Sequence, residues 1–186
     1  MSQRVFVTGA TGFIGSHLVE RLLAQSCTVS ALMRNPPAQV TAGVNVVRGD
    51  LSSATTLATL LSKLGQIDVV YHLAGVVAAP SRNAYFAANA QGTANLMEAL
   101  AKLSTPPKRV VLVSSLAAGG PAIGREQPRL EADEARPVSA YGESKLAAEL
   151  EALKYKDRMQ VAILRPPMVY GPRDKGVYVL IKAVSR

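Results

Sequence analysis

Several residue types are scarce in this sequence, and each scarcity limits what the chain forms. There is no tryptophan and a single cysteine, Cys27, so no internal disulfide forms and a reducing compartment, the cytoplasm, is the expected location. No stretch approaches the roughly 18 consecutive apolar residues that a membrane helix needs, so we expect no membrane partner. Residues 1–8 enter a strand-like run without the basic and apolar regions of a secretory signal.

Acidic residues are also in the minority, with 13 Asp and Glu against 21 Lys and Arg, which gives a formal net charge of +8. The basic residues are spread along the chain, without the dense runs or interleaved aromatics of a nucleic-acid-binding protein. We therefore expect a solvated surface that favours phosphorylated small molecules, and no nucleic-acid partner. The two histidines, His17 and His72, have no second ligand at a metal-binding spacing, so both are interpreted as structural and no metal site is predicted.

The sequence does contain a regular alternation of short apolar runs with helical patterns. The apolar runs predict strands at residues 4–9, 28–33, 44–50, 68–75, 109–115 and 160–166. Helices are predicted at 13–25, at about 52–64 with Ser52 or Ser53 as the N-cap, at 83–103 and around Tyr141. Strands that are apolar on both faces and separated by helices form a parallel sheet covered on both sides. The predicted fold class is therefore α/β, a doubly wound parallel sheet of the Rossmann-like kind, which binds ligands at the carboxyl ends of its strands.

The first strand runs directly into a glycine-rich stretch, TGATGFIG, at residues 8–15. Gly9, Gly12 and Gly15 allow a tight turn and let backbone N–H groups approach a pyrophosphate, which the dipole of the following helix also attracts. The spacing is G-x-x-G-x-x-G, not the G-x-G-x-x-G of many dehydrogenases, and the simpler alternative is a turn that only needs glycine. Because the three glycines fall at the first strand–helix junction, the sequence favours nucleotide binding.

A tyrosine and a lysine four positions apart, Tyr141 and Lys145, occur in the stretch AYGESKLAAEL. On a helix this spacing brings both side chains to one face. A phenol is a poor base near neutral pH, and a nearby cation stabilises its phenolate, so the pair suits acid/base catalysis. Ser115, at the carboxyl end of the fifth strand, is the candidate for holding a substrate oxygen, and its neighbour Ser114 is the alternative.

A series of short motifs follows one order along the chain. The motifs are TGATGFIGSHL, GDL (49–51), HLAG (72–75), NAQGT (89–93), VSS (113–115), YGESK (141–145) and LRPPMVYGP (164–172). In these motifs the sequence resembles the extended short-chain dehydrogenase/reductase family, of the NAD-dependent epimerase/dehydratase type, over about residues 4–172. The resemblance implies a nicotinamide cofactor and a small-molecule substrate, and it leaves a homodimer open.

The resemblance also implies which residues contact the cofactor. By their positions in the family motifs they are Gly9, Gly12, Phe13, Ile14, Gly15, Arg34, Asp50, Leu51, Leu73, Ala74, Gly75, Asn89, Ser114, Tyr141, Lys145, Pro166 and Val169. At the end of the second strand, Met33 stands where the family has an acidic residue for the adenosine ribose of NAD, and Arg34 follows it. Since arginine pairs with the 2′-phosphate of NADP, NADP is predicted ahead of NAD, with an ordinary surface arginine as the alternative.

For the chemistry, the resemblance implies an NAD(P)-dependent oxidoreductase that moves hydride between the nicotinamide and a secondary alcohol or ketone. Tyr141 would exchange the proton of the substrate hydroxyl, and Ser115 would hydrogen-bond the substrate oxygen. Lys145 would stabilise the phenolate of Tyr141 and bind the nicotinamide ribose. Asn89 would support the cofactor or a proton relay.

Two other functions remain open at this point. One is a nucleotide-sugar epimerase that recycles tightly held NAD, and the other is a dinucleotide-binding sensor or scaffold without turnover. A sugar dehydratase is not expected, because Leu116 and Ala117 replace the Asp-Glu pair that follows the catalytic Ser or Thr in the family dehydratases. Because Ser115, Tyr141 and Lys145 are all present, the sequence favours an enzyme over a sensor.

The last residues of the sequence have a different interpretation. Residues 173–186 contain a second Tyr-x-x-x-Lys, Tyr178 and Lys182, which is interpreted as part of a surface helix because no strand ending in serine precedes it at the family interval. In the resembled family the chain continues into a smaller substrate domain. We therefore predict a dinucleotide-binding domain at residues 1–172 and the start of a truncated substrate-binding region at 173–186. A chain of this extent is expected to bind the cofactor but to lack full turnover.

Overall fold

The computed structural model of the chain describes residues 2–122, 124, 127–174, 176 and 182. They form one parallel sheet whose strands are β1 (Arg4–Thr8), β2 (Thr28–Met33), β3 (Val44–Arg48), β4 (Val69–His72), β5 (Arg109–Val113) and β6 (Gln160–Leu164). Their order across the sheet is β3-β2-β1-β4-β5-β6. The predicted α/β, doubly wound fold is confirmed, and each observed strand coincides with a predicted one or lies within it.

Helices connect the strands and pack on both faces of the sheet. They are α1 (Phe13–Ala24), α2 (Ala54–Ser62), α3 (Arg82–Tyr85), α4 (Gly92–Ala101), α5 (Leu116–Gly119) and α6 (Ala140–Leu153). Of the two predicted N-caps for α2, Ser53 is the one observed, and its side chain accepts from Thr56 N–H at 3.2 Å. Among these described helices, none is long and apolar enough to cross a membrane.

A turn of π-helix is the main departure from the predicted secondary structure. The sequence predicts one helix over residues 83–103, whereas the structure has helical backbone from Arg82 to Ala101 that widens at Phe86–Gln91, which we name the π turn. A π turn closes its hydrogen bonds over five residues instead of four, so the side chains beyond it are rotated from the positions that a regular helix would give them. The π turn contains Asn89, which is buried.

Apolar side chains fill both faces of the sheet. On β1, Phe6 joins a cluster with α2 and α4 that includes Leu57 and Leu96, whereas Val5 and Val7 join the cluster beneath α1. Successive residues of a strand point to opposite faces, so an uninterrupted apolar run serves both clusters.

The strand order reverses beside β1, because β2 and β3 extend to one side of it and β4, β5 and β6 extend to the other. Connections then leave β1 and β4 in opposite directions, which opens a crevice outside their carboxyl ends. Thr8, the last residue of β1, is paired with Leu32 on one side and with His72 on the other. The loops that follow Thr8 and His72 therefore border this crevice.

Candidate active site

The glycine loop, residues 9–15, lies at the centre of the crevice. Gly9 has a positive φ of 74°, and a Cβ there would lie 2.6 Å from the backbone nitrogen of Ala74. A Cβ on Gly15 would lie 2.0 Å from the carbonyl oxygen of Gly9. Neither position accommodates a side chain, so the loop turns tightly against the end of β4.

The start of α1 offers hydrogen-bond donors to a ligand. Gly12 is the N-cap of α1, and no side chain caps the first N–H groups of the helix, those of Phe13, Ile14 and Gly15. Gly12 N–H itself donates to the carbonyl of Gly9 at 3.0 Å, which closes the turn. The uncapped donors and the space that no Cβ fills suit the pyrophosphate of a dinucleotide, so the residues present fit this cofactor.

The ends of β2 and β3 form one flank of the crevice. Arg34 is exposed directly after β2, and Asp50 is exposed after β3, where its carboxylate accepts from the N–H of Ser52 at 2.8 Å and from the Ser52 hydroxyl. The hydroxyl is the largest cause that lowers the pKa of Asp50, followed by the N–H and, with a smaller effect, the charge of Arg34. Leu51 is tied to α4, because its carbonyl accepts from Asn95 Nδ2 at 2.7 Å. Arg34 and Asp50 thus share the flank to which the sequence assigns the adenosine.

Residues 73–76, which we name the floor segment, follow β4 along the bottom of the crevice. Leu73 N–H donates to the carbonyl of Thr8 at 3.1 Å and so extends the pairing of β1 with β4. A Cβ on Gly75 would lie 2.8 Å from Asn89 Oδ1 and 3.7 Å from Lys145 Nζ. The backbone of the floor segment therefore packs against Asn89 and Lys145 at Gly75, where there is no side chain between them. Gly75 is one of the residues that sequence analysis assigned to the cofactor.

Tyr141 and Lys145 lie one turn apart on α6, as their spacing predicts. Lys145 is 6% exposed, and its Nζ donates to the carbonyl of Val113, the last residue of β5, at 2.8 Å. Burial lowers the pKa of Lys145 from 10.5 to about 8, although the negative charge of Glu149 acts in the opposite direction. Tyr141 is half-buried, with its ring centroid 6.0 Å from that of Tyr85. A buried cation one turn from a half-buried tyrosine is an arrangement that acid/base catalysis can use.

Two serines at the end of β5 lie in different environments. Ser115 is half-buried and is the N-cap of α5, where its Oγ accepts from the N–H of Ala117 at 3.2 Å. Ser114 is 4% exposed, and its hydroxyl donates to the carboxylate of Glu149. Because the hydroxyl hydrogen of Ser114 is already used, Ser115 is the serine whose hydroxyl is available to a substrate oxygen.

Sequence analysis did not identify Glu149 and Arg165, which form an ion pair beneath the crevice. Glu149 is 2% exposed, and its two carboxylate oxygens accept from Arg165 Nε at 2.9 Å and from Arg165 Nη2 at 2.6 Å. Arg165 follows β6, and Glu149 lies one turn after Lys145, so the pair joins the end of β6 to α6. The sequence held a signal for this role, since Glu149 is four residues from Lys145 and therefore shares its helix face.

The segment that follows β6 crosses over to α1. Pro166 is half-buried, and Val169 is 41% exposed on this segment. Farther on, Arg173 donates to Glu20 at 2.6 Å and to His17 Nδ1 at 2.6 Å, and we name these three side chains the clasp. The clasp holds this segment against α1, on which both His17 and Glu20 lie.

Most of the residues assigned from the sequence thus line one crevice, along the ends of β1 to β6. Tyr178 of the second Tyr-x-x-x-Lys lies outside the described residues, so the structure does not test that interpretation. Within the described residues, no group of three or more His, Cys, Asp and Glu side chains is arranged to hold a metal ion.

Comparison with known proteins points in the same direction. A model of the NAD dependent epimerase/dehydratase family matches residues 5–186. The chain is 36% identical over 177 residues to dTDP-6-deoxy-L-talose 4-dehydrogenase (NAD(P)(+)) of Kitasatospora kifunensis, a match that covers 93% of this chain and 54% of that protein. It is 32% identical over 185 residues to the ceramide reductase of Caulobacter vibrioides, with 98% and 51% covered. It is also similar to the solved structure of MoeE5 in complex with UDP-glucose and NAD, with a TM-score of 0.81 and 36% identity over 96% of this chain and 59% of that one.

The chain spans about half the length of the curated relatives it matches. The region matched by the family model nevertheless includes the whole crevice, from the glycine loop to the clasp.

Proposed function

The chain belongs to the NAD-dependent epimerase/dehydratase family, and from this premise we propose that it is the cofactor-binding part of an NAD(P)-dependent oxidoreductase. The enzyme moves hydride between a nicotinamide cofactor and a secondary alcohol or ketone of a small molecule. Its catalytic residues are Tyr141, Ser115 and Lys145.

The environment of Lys145 is the observation that carries this proposal. A lysine is seldom fully buried unless it is ion-paired, yet the hydrogen bond of Lys145 goes to a backbone carbonyl, that of Val113. Holding the ammonium there costs stability, which its lowered pKa reflects. Such a group in a ligand crevice, beside Gly75 and one turn from Tyr141, supports a catalytic role.

The chain's own residues then have distinct roles in the reaction. In the oxidation direction Tyr141 accepts the proton of the substrate hydroxyl, and Lys145 stabilises the negative charge that Tyr141 needs in order to do so. Ser115 donates a hydrogen bond to the substrate oxygen as its charge develops. The glycine loop would hold the pyrophosphate of the cofactor, the floor segment would support its middle, and Lys145 would hydrogen-bond the nicotinamide ribose. The nicotinamide, when bound, supplies the hydride acceptor or donor.

The preferred cofactor in this proposal is NADP. Arg34 is exposed on the flank that would hold the adenosine ribose, where its guanidinium suits a 2′-phosphate. Asp50 lies on the same flank, and both hydrogen bonds from Ser52 go to one of its carboxylate oxygens, Oδ1. A preference for NADP favours net reduction over epimerisation.

A nucleotide-sugar epimerase that retains NAD is the second candidate. It is supported by the similarity to MoeE5, which was solved with UDP-glucose and NAD. Both candidates use the same tyrosine, serine and lysine, so they differ in the cofactor they hold and in whether the reduced cofactor leaves the site.

The remaining parts of the proposal concern the whole protein. We take residues 1–172 as the cofactor domain and 173–186 as the start of a substrate-binding region, which the partial coverage of the relatives supports. A cytoplasmic location is supported only by the single cysteine, Cys27, and a homodimer only by the family resemblance.

Calorimetric titration of the 186-residue chain with NADPH and with NADH tests the cofactor assignment. We expect tighter binding of NADPH and a loss of that preference by about tenfold or more in Arg34→Glu, because a charge-assisted pair is replaced by repulsion. Arg158→Glu, an exposed arginine in the turn before β6 and at the opposite edge of the sheet, is the charge-matched control. Equal or tighter binding of NADH would move the epimerase to first place, and no binding of either cofactor would contradict the proposal for this chain.

Turnover by Tyr141→Phe distinguishes an enzyme from a non-catalytic sensor. In any longer protein that includes this chain and has nicotinamide-linked activity, we expect the variant to bind cofactor and to lose about 100-fold or more of that activity, because Tyr141 is the group assigned to exchange the substrate proton. Tyr155→Phe, beyond the end of α6, is the matched control. Activity that survives in Tyr141→Phe would overturn the catalytic assignment.

A further inference from the structure

His72 connects two buried threonines that lie far apart in the sequence. It is the last residue of β4 and is 1% exposed. Its Nδ1 lies 2.6 Å from Thr8 Oγ1 at the end of β1, and its Nε2 lies 3.0 Å from Thr93 Oγ1 on α4. Thr8 and Thr93 are themselves 0% and 2% exposed, so all three side chains are buried.

The directions of these hydrogen bonds follow from the number of hydrogens present. Thr93 Oγ1 lies 2.6 Å from the carbonyl oxygen of Asn89, which only accepts, so the single hydroxyl hydrogen of Thr93 points there. Thr93 must therefore accept from His72, which places the hydrogen of the neutral imidazole on Nε2. Nδ1 is then an acceptor, and Thr8 donates its hydroxyl hydrogen to it. Burial first, and the nearby charge of Lys145 second, lower the pKa of His72 to about 3, so the ring is neutral at pH 7.

The same chain of hydrogen bonds holds the floor segment at one end. With its hydrogen directed to His72, Thr8 Oγ1 is free to accept, and it receives the N–H of Ala74 at 3.2 Å. A bond in the opposite sense between Thr8 and His72 would leave the Thr8 hydroxyl hydrogen without an acceptor in this buried site.

At its other end this series of hydrogen bonds reaches Asn89 in the π turn, through the bond from Thr93 to the Asn89 carbonyl. The Asn89 amide accepts from the N–H of Val76 at 2.8 Å, donates to the carbonyl of Val76 at 3.1 Å, and donates to Ser144 Oγ at 2.9 Å. Ser144 in turn donates to the carbonyl of Tyr141 at 2.7 Å. The donors and acceptors of Asn89 are thus satisfied by groups of the floor segment, α4 and α6.

We propose that His72 is a positioning residue of the crevice, which acts as a neutral Nε2–H tautomer to fix Thr8 and Thr93 and, through them, the floor segment and Asn89. The consequence is that Gly75 is held against Lys145 whether or not a ligand is bound. This inference rests on the proposed function only for its effect on cofactor affinity, because the tautomer and the order of the floor segment are properties of the chain alone.

Three threonine variants test the inference with matched chemistry. Thr93→Val keeps the shape of the side chain and removes the acceptor of His72, whereas Thr93→Ser restores the hydroxyl. Thr59→Val is the control, because Thr59 Oγ1 makes the same bond to the carbonyl four residues earlier, that of Thr55, on the exposed face of α2. We expect Thr93→Val to weaken cofactor binding about tenfold, with Thr93→Ser and Thr59→Val close to the parent chain.

Two NMR measurements on the same chains need no cofactor. Nitrogen-15 spectra of the imidazole should show His72 neutral and protonated at Nε2 at pH 7. The amide hydrogens of Ala74 and Val76 should exchange slowly in the parent chain and in Thr93→Ser, and at least about tenfold faster in Thr93→Val.

Each unfavourable result has a separate meaning. A charged or Nδ1–H imidazole, or unchanged exchange at Ala74 and Val76 in Thr93→Val, would overturn the role of His72. Equal losses of affinity in Thr93→Val and Thr59→Val would overturn it too, since the effect would then come from the helix bond alone. A parent chain that shows the expected NMR signals and binds neither NADPH nor NADH would instead contradict the proposed function and leave the positioning role supported.

Discussion

The two halves of the sheet are built with different chemistry. In the half that contains β1, β2 and β3, residues 2–66, Thr8 is the only buried polar side chain among the residues described. The half that contains β4, β5 and β6 has many more: His72, Asn89, Thr93, Asn95, Ser114, Ser144, Lys145 and Glu149. The hydroxyl of Thr8 itself makes hydrogen bonds to residues of the second half, His72 and Ala74.

The difference follows from what each half has to hold. In the proposed function the first half holds a pyrophosphate, which backbone N–H groups at a helix start can bind, so this part of the site depends on glycines and not on buried polar side chains. Acid/base groups must keep defined positions and charges away from water, and every buried polar group that does so needs a partner. The second half is therefore more easily disrupted by the loss of one polar side chain, and the first half by the gain of one methyl group.

Removing Glu149 is expected to have the largest effect on stability. Glu149→Ala leaves the Arg165 guanidinium and the Ser114 hydroxyl without their shared acceptor, which should lower the free energy of unfolding by about 3–5 kcal/mol in urea titrations. Glu151→Ala, two residues along the same helix, breaks the more exposed pair with Lys154 and should cost less than about 1 kcal/mol. Similar losses of stability in Glu149→Ala and Glu151→Ala would contradict the expected difference between buried and exposed polar groups. Glu149→Gln is a milder change that can be measured if Glu149→Ala does not fold.

The dependence of stability on alkaline pH tests whether Lys145, in the second half, is perturbed by its burial. The pKa of Lys145 is about 8 in the folded chain against 10.5 for an unperturbed lysine, so the unfolded chain binds more protons between these pH values. The free energy of unfolding should therefore rise with pH from about 8 to 10.5, by up to about 3 kcal/mol relative to Lys145→Met. Parallel pH profiles for the parent chain and Lys145→Met, measured by urea unfolding, would mean that burial does not perturb this lysine.

Adding a methyl group to a glycine tests the half that contains β1, β2 and β3, where the proposed site is formed by backbone groups. In Gly9→Ala the new Cβ would lie 2.6 Å from the nitrogen of Ala74, at a positive φ that alanine avoids, so we expect a loss of about 2 kcal/mol and weaker cofactor binding. Gly124→Ala is the control, because a Cβ there has no heavy atom within 4 Å. Thermal unfolding and cofactor titration of both variants check the prediction, which fails if Gly9→Ala behaves like the control.

Sequence analysis was most successful where the structure depends on local patterns. The alternation of apolar runs predicted the sheet and its strands, and Ser53 was one of the two N-caps proposed for α2. The positions of the glycines at the first strand–helix junction likewise predicted the tight loop that Gly9 and Gly15 form. Each of these signals lies within a few residues of the feature that it specifies.

The polar contacts of the second half could not be predicted in this way. Thr8 and His72 are 64 residues apart, and Ser114 and Glu149 are 35 apart, so no local spacing indicates that they meet. The π turn was missed because apolar periodicity does not distinguish it from a regular helix. Ser114 illustrates the difference: the sequence offered it as an alternative to Ser115, and only the packing of α6 shows that its hydroxyl is taken by Glu149.

The strand order also determines when the crevice forms during synthesis. One neighbour of β1, β2, is synthesised soon after it, but the other neighbour is β4, so the edge at Val5 cannot be covered before Val69 has been made. At about 5–20 residues per second the nascent chain carries this open edge for roughly 3–13 s, and it lacks Lys145 for longer still. The clasp comes last, because Arg173 is 153 residues from Glu20. Until β4 and the residues after it have left the ribosome, the glycine loop therefore lacks the floor segment against which Gly9 packs in the folded chain.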